Sequence, residues 1–209
     1  MTAPHKLAAT PPMEAKLVDA LPGEEGWQFE PKWDGFRAIA SRSGNVVELM
    51  SKSGKSLARY FPEIVAALAA VPETIFVVDG ELILPVENIL SFDALQARLH
   101  PAESRIRELS VETPAQLMLF DCLARGDQVL IQEPLQQRRR AIEDFHASAT
   151  GTVGGRRTFL LSSMTMDNAQ AAAWLAASGG ALDGVDFCSV QSELSAKPER
   201  PTLGPMNVR

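Results

Sequence analysis

The sequence predicts an α+β protein built on antiparallel sheets, and three observations carry that prediction. Segments with strand alternation mix with segments of helical periodicity, without the strict βαβ order of a parallel sheet. A turn signal at Ser43-Gly44-Asn45 joins two strand-like stretches, Phe36 to Ser43 and Val46 to Met50, into a hairpin. Leu57, Phe61, Ile64, Val65 and Leu68 then fall at helical spacing over Leu57 to Val71, and Pro72 ends the pattern.

The remaining elements follow in order. Residues 1–25, rich in proline, alanine and glutamate, read as an arm, and Trp27 to Pro31 is extended. Ile75 to Leu84 is a strand rich in β-branched residues that carries Asp79-Gly80-Glu81 in its middle. Two carboxylates and a glycine are unusual in a buried strand. Ser91 is placed to cap a helix running to His100, and Ala115 to Leu123 is an apolar strand. Glu133 to Ala147 is an amphipathic helix on which Arg138, Arg139 and Arg140 read as a solvated face. Thr158 to Ser162 forms a strand, Asp167 to Ser178 an alanine-rich helix stopped at Gly179-Gly180, and Leu182 to Phe187 the last strand.

At 209 residues and 45% hydrophobic positions the chain can bury one full core or two small ones. Its net charge of −6 argues against non-specific coating of nucleic acid. Positive charge does cluster, at Lys52, Lys55 and Arg59, at Arg98, Arg105 and Arg107, and at Arg156 and Arg157. Each cluster is either a solvated face or a binding patch. No apolar run approaches the roughly 20 residues of a membrane helix, and the first residues lack the order of a secretory signal. A cytoplasmic protein with no membrane partner is expected. Cys122 and Cys188 lack metal spacing, and His5, His100 and His146 are scattered, so neither a disulfide framework nor a zinc site is implied.

The chemistry concentrates in Glu30-Pro31-Lys32-Trp33-Asp34-Gly35-Phe36-Arg37. A lysine sits here between two strands, beside an acid, a glycine and an arginine. A lysine amine attacks an electrophile only when unprotonated, and a nearby cation such as Arg37 favours that state. Gly35 would let a bulky ligand approach the backbone. The bare spacing also fits an ordinary surface turn.

KWDGFR resembles motif I of the covalent nucleotidyltransferases: ATP-dependent DNA ligases, RNA ligases and mRNA capping enzymes. SKSG at Ser51 to Gly54 is similar to the S-R-x-G motif, with Lys52 where arginine is usual. VVDGEL at Val77 to Leu82 resembles motif III, LMLFDCL at Leu117 to Leu123 motif IIIa, and LDGV at Leu182 to Val185 the opening of motif IV. With the flanking PPMEAKL, RYFPEI, FDALQARLHP and PLQQRRRAIE, residues 11 to 186 are most similar to the bacterial end-joining ATP-dependent DNA ligases. The resemblance implies an adenylation domain over 26–187, of the ATP-grasp-like nucleotidyltransferase type, with two antiparallel sheets flanked by helices and the nucleotide between them.

It also implies roles. Lys32 would attack the α-phosphate of ATP and hold AMP covalently. Glu30 would lie at the adenine edge, Arg37 at the ribose or the DNA phosphate, and Glu81 at the ribose hydroxyl. Phe120 would stack on adenine, and Lys52 would contact DNA or phosphate. Glu81 and Asp183 would hold Mg²⁺, which takes few carboxylates plus phosphate oxygens. Asp34 would be a structural or orienting acid. The partner would be nicked or broken duplex DNA, in repair and recombination. Read by spacing alone, Phe120 is core, Asp79 and Glu81 cap a strand end, and Asp183-Gly184 is a turn.

The text departs from the family pattern after Val185. Asp186 occupies an apolar position, Cys188 a lysine position, and Asn207 and Arg209 stand near the two lysines of motif V. Lys197 is the nearest substitute cation. One lost electrostatic donor commonly costs about 10²–10³ in rate. Residues 188–209 therefore read as a divergent tail, with the family's OB-fold domain absent or supplied by a protein partner. The alternative function is a catalytically impaired nucleotide- or DNA-binding module acting with that partner.

Overall fold

The computed structural model describes residues 14–17, 20–87, 89–153, 155–178, 182–190 and 199–203. The strands begin with β1 (Glu14–Leu17), β2 (Trp27–Trp33), β3 (Phe36–Ser43), β4 (Val46–Ser51) and β5 (Ile75–Ile83). They continue with β6 (Pro85–Val86), β7 (Ile89–Leu90), β8 (Gln116–Arg125), β9 (Gln128–Val129), β10 (Thr152–Val153), β11 (Arg156–Arg157), β12 (Phe159–Leu161), β13 (Leu182–Ser189) and β14 (Glu199–Leu203). The helices are α1 (Pro62–Ala70), α2 (Phe92–Ala97), α3 (Glu103–Glu112), α4 (Leu135–Ser148) and α5 (Asn168–Ala176).

Two sheets organise the molecule. The larger runs β12-β8-β5-β3-β4 with β9 on β8, and the smaller runs β1-β14-β13-β2. Their interiors are antiparallel, as the sequence predicts, while β12 joins β8 and β1 joins β14 in parallel. The stretch read as an arm therefore contributes a strand, and so does the segment beyond Phe187. The latter forms the end of β13 and all of β14.

Local chemistry explains most boundaries. The β3–β4 hairpin turns at Gly44, whose φ of 62° suits glycine. Helix α1 starts at Pro62 rather than Leu57. The ring disfavours helical backbone in the residue before it, and Phe61 accordingly sits at φ −130° and ψ 58°. Leu57 and Phe61 are buried all the same, so their spacing reported burial rather than helix. Ser91 caps α2 by accepting from the Ala94 amide at 3.2 Å, and Asp167 caps α5 by accepting from Ala169 at 2.9 Å. Helix α3 was not expected. Only Ile106 of its ten residues is buried, too little to write an apolar stripe.

The main core lies between the larger sheet and α1 and α4, around Ile64, Leu68, Phe76, Leu119, Ile142 and Phe145. A second cluster, Phe29, Val185 and Phe187 with Trp174, packs α5 on the smaller sheet. Two arginine readings need correction. Arg138 and Arg139 are not a solvated face: both are buried, Arg138 completely, and it pairs with Asp121 at 3.0 Å. Arg98 is likewise fully buried, 2.8 Å from Glu63. Buried guanidinium groups require such partners. Residues 1–13 with His5, the Gly179-Gly180 stop, Lys197, Asn207 and Arg209 lie outside the described residues. Among the described residues no helix is long and apolar enough to cross a membrane.

Candidate active site

The lysine motif is where the chain passes from one sheet to the other. Glu30 and Lys32 alternate along one face of β2, and Phe36 and Arg37 open β3. The turn between them passes so close to β5 that a Cβ on Gly35 would lie 2.2 Å from the Leu82 carbonyl oxygen and 2.8 Å from Glu81 Cγ. The sequence reading had Gly35 admitting a ligand; what it admits is the backbone of β5. Two further ties fix β2. Trp33 Nε1 donates to Ser162 Oγ at 2.9 Å, and Phe29 and Thr165 exchange backbone hydrogen bonds of 2.8 and 3.0 Å.

An open cavity of about 900 Å³ lies over this junction. All the residues expected at the site line it: Glu30, Lys32, Arg37, Lys52, Glu81, Phe120 and Asp183. They come from β2, β3, the loop after β4, β5, β8 and β13, six separate segments. Asp34, Lys55 and Asp186 line it as well.

Lys32 Nζ donates to Asp183 Oδ2 at 2.8 Å, with both side chains open to solvent. Pairs this exposed contribute at most about 1 kcal/mol, so the lysine is held in place without being trapped. Burial raises the pKa of the Asp34 carboxyl; repulsion from Asp183 adds to this and Lys32 partly offsets it. Arg37 grips Asp79 with Nε to Oδ1 at 3.1 Å and Nη2 to Oδ2 at 2.6 Å. Its guanidinium also lies 5.1 Å from the centre of the Phe120 ring. Arg37 thus braces the wall of the cavity.

Phe120 reaches the cavity because β8 bulges there. Asp79 pairs with Asp121 and Gly80 with Leu119, which leaves Phe120 as the extra residue. A bulge re-aims a side chain that alternation would place otherwise. Spacing alone could not reveal this, because it depends on the register of the neighbouring strand. Glu30 is almost fully buried and accepts from Gln28 Nε2 at 2.6 Å.

Burial pushes the Glu81 carboxyl from its ordinary value of 4.5 up to about 8. Arg37 and Lys32 oppose the shift, and Asp79 and Asp186 add to it. Between those two pH values the folded protein keeps a proton that the unfolded chain releases, so stability falls as pH rises through the window. Glu81→Gln should remove this slope. At pH 8 it should stabilise the protein by up to about 4 kcal/mol, a Tm gain of at most about 8–16 °C that fades toward pH 4. Thermal melts of both proteins across pH 4 to 8.5 check it, and parallel curves would refute it.

No group of three potential metal-ligating side chains gathers among the described residues. The carboxylates available to a cation in the cavity are those on its walls, Glu81 and Asp183 among them. The cations lining it, among the described residues, are Lys32, Arg37, Lys52 and Lys55. Cys188, at the position of an expected lysine, is buried against Leu135 of α4.

Comparison with known proteins identifies the family and the fold. The sequence profile of the ATP dependent DNA ligase domain matches residues 9–178. DNA ligase C2 of Mycolicibacterium smegmatis is 45% identical over 176 residues, which covers 83% of this chain and 47% of that protein. DNA ligase C of Mycobacterium tuberculosis is 44% identical over 176 residues, covering 83% and 48%. The chain spans about half the length of these relatives. Among solved structures, the ligase domain from M. tuberculosis LigD superposes with a TM-score of 0.72 at 22% identity. The match covers 93% of this chain and 59% of that one, and shows a shared fold.

Proposed function

The chain belongs to the ATP-dependent DNA ligase domain family, and from that premise we propose that it performs the adenylation chemistry of a DNA ligase. The observation that carries this is the convergence of Lys32, Glu30, Glu81, Phe120 and Asp183 on one open cavity between two sheets. Unprotonated Lys32 Nζ attacks the α-phosphorus of ATP. A nitrogen–phosphorus bond forms as the bond to the bridging oxygen breaks, and pyrophosphate leaves. AMP then passes to a 5′-phosphate at a nick, and attack by the adjoining 3′-hydroxyl releases AMP as the strand closes.

The residues divide this work. Phe120 offers a ring face for the adenine, and Glu30 faces the base edge. Glu81 takes the ribose hydroxyl. Arg37 holds the Phe120 wall in place, and Lys52 meets phosphate or DNA at the mouth. Two carboxylates on an open wall fit Mg²⁺, and that ion beside Glu81 and Asp183 would neutralise charge on the phosphates during transfer. We place nicked or broken duplex DNA as the acceptor, an OB-fold from outside this adenylation fold as its clamp, and the cytoplasm, where ATP and DNA meet, as the location.

Protein stripped with pyrophosphate and then incubated with ATP and Mg²⁺ should gain the mass of one AMP by intact-mass spectrometry, and Lys32→Ala should gain none. Folded protein that takes up no AMP would overturn the enzymatic reading and leave a nucleotide- or DNA-binding module.

A further inference from the structure

Across the β2–β13 pair, Glu30 stands directly opposite Asp186 and Lys32 opposite Gly184. Directly paired residues share a face of the sheet, so the two carboxylates lie side by side, and both line the cavity. Such like-charged cross-strand pairs are unfavourable unless something bridges them. Gln28 already donates to Glu30. The Oδ1 atom of Asp186 is buried and has no hydrogen-bond partner among the described residues. A buried acceptor left unpaired costs more than an average hydrogen bond contributes. Asp186, half-buried on the cavity wall, therefore offers a carboxylate acceptor to a donor on the group that meets it there.

We propose that Asp186 selects the nucleotide base, accepting a hydrogen bond from the 6-amino group of adenine and repelling a 6-oxo purine. The inference rests on the adenylation reading above and names how that site chooses its purine. The order of residues along β2 supports the base as the group in question. Lys32, which meets the α-phosphate, lies two residues from Glu30, or about 7 Å along an extended strand. That is a separation the ribose can span. Phosphate oxygens would be repelled at the Glu30–Asp186 level. An amine offers two N–H donors to two carboxylates, whereas a 6-oxo group turns lone pairs toward them. The related family pattern has an apolar residue here, so this selection would be the chain's own.

The test is equilibrium binding of ATP, inosine triphosphate, purine riboside triphosphate (no 6-substituent) and 2′-deoxyATP, in EDTA to prevent chemistry. The proteins are the parent, Asp186→Val and Asp186→Asn. The parent should bind ATP about tenfold or more tightly than the inosine and purine riboside compounds. Asp186→Val should reduce that preference to about twofold. Asp186→Asn, whose amide can also donate, should gain affinity for inosine triphosphate. Undiminished preference in Asp186→Val would overturn the inference and leave the adenylation reading intact. So would an effect of the substitution that disappears with 2′-deoxyATP, because it would place Asp186 at the ribose. Failure of the folded parent to bind any triphosphate would overturn both.

Discussion

Asp183→Ala lowers the rate of AMP transfer onto Lys32 by about 10²–10³-fold while ATP affinity in EDTA changes by no more than about twofold. Two effects oppose each other here, and their sizes decide the sign. The carboxylate 2.8 Å from Nζ holds the amine in an ion pair that must open before the nitrogen can attack, so removing it helps the reaction. With the two side chains 32% and 50% exposed, that help is limited to about 1 kcal/mol, or roughly fivefold. Against it stands the loss of one of the two acids proposed to hold the cation that neutralises the phosphates. Groups placed where transition-state charge develops are worth about 10²–10³ each. The larger effect wins. Single-turnover adduct formation, followed by intact mass over a range of Mg²⁺, should show both the slower rate and a higher half-saturating Mg²⁺ concentration. A faster rate in Asp183→Ala would make the ion pair a brake on the lysine instead.

The two sheets were legible wherever a local signal could carry them. The Gly44 hairpin, the cap at Ser91 and the start of a helix at Asp167 stand as read from the sequence. The carboxylates in the middle of β5 were a true anomaly, and the structure gives each an explanation. Asp79 is clasped by Arg37, and Glu81 faces the cavity. Illegible features depend on partners far away in sequence. Arg98 reads as surface until Glu63, 35 residues earlier, is folded against it. The alternation of β8 predicts nothing about Phe120 until the register with β5 reveals the bulge. Asp186 looked like erosion of a motif. Its meaning rests on the residue across the strand pair, which no reading along one chain direction supplies. Motifs thus identified which residues meet at the site, and the register determines which way they face.

The same dependence on distant partners makes Arg138 the residue whose loss should cost most stability. Its Nε lies 3.0 and 3.2 Å from the two carboxylate oxygens of Asp121, and both residues are buried. Asp121 stands directly opposite Asp79 across the β5–β8 pair, so two carboxylates face each other inside the sheet. Each has its own arginine, Arg37 for Asp79 and Arg138 for Asp121. Arg138→Met would leave Asp121 charged, buried and beside a second carboxylate. That should destabilise the protein by about 3–5 kcal/mol in urea unfolding. An isolated buried charge is worse than none, so the double variant Asp121→Asn with Arg138→Met should recover more than half of the loss. Phe120 immediately precedes Asp121 on the bulge, so the single variant should also weaken ATP binding under conditions where it remains folded. A cost below about 1 kcal/mol would show that Asp121 finds another partner or water, and that the brace behind the Phe120 wall lies elsewhere.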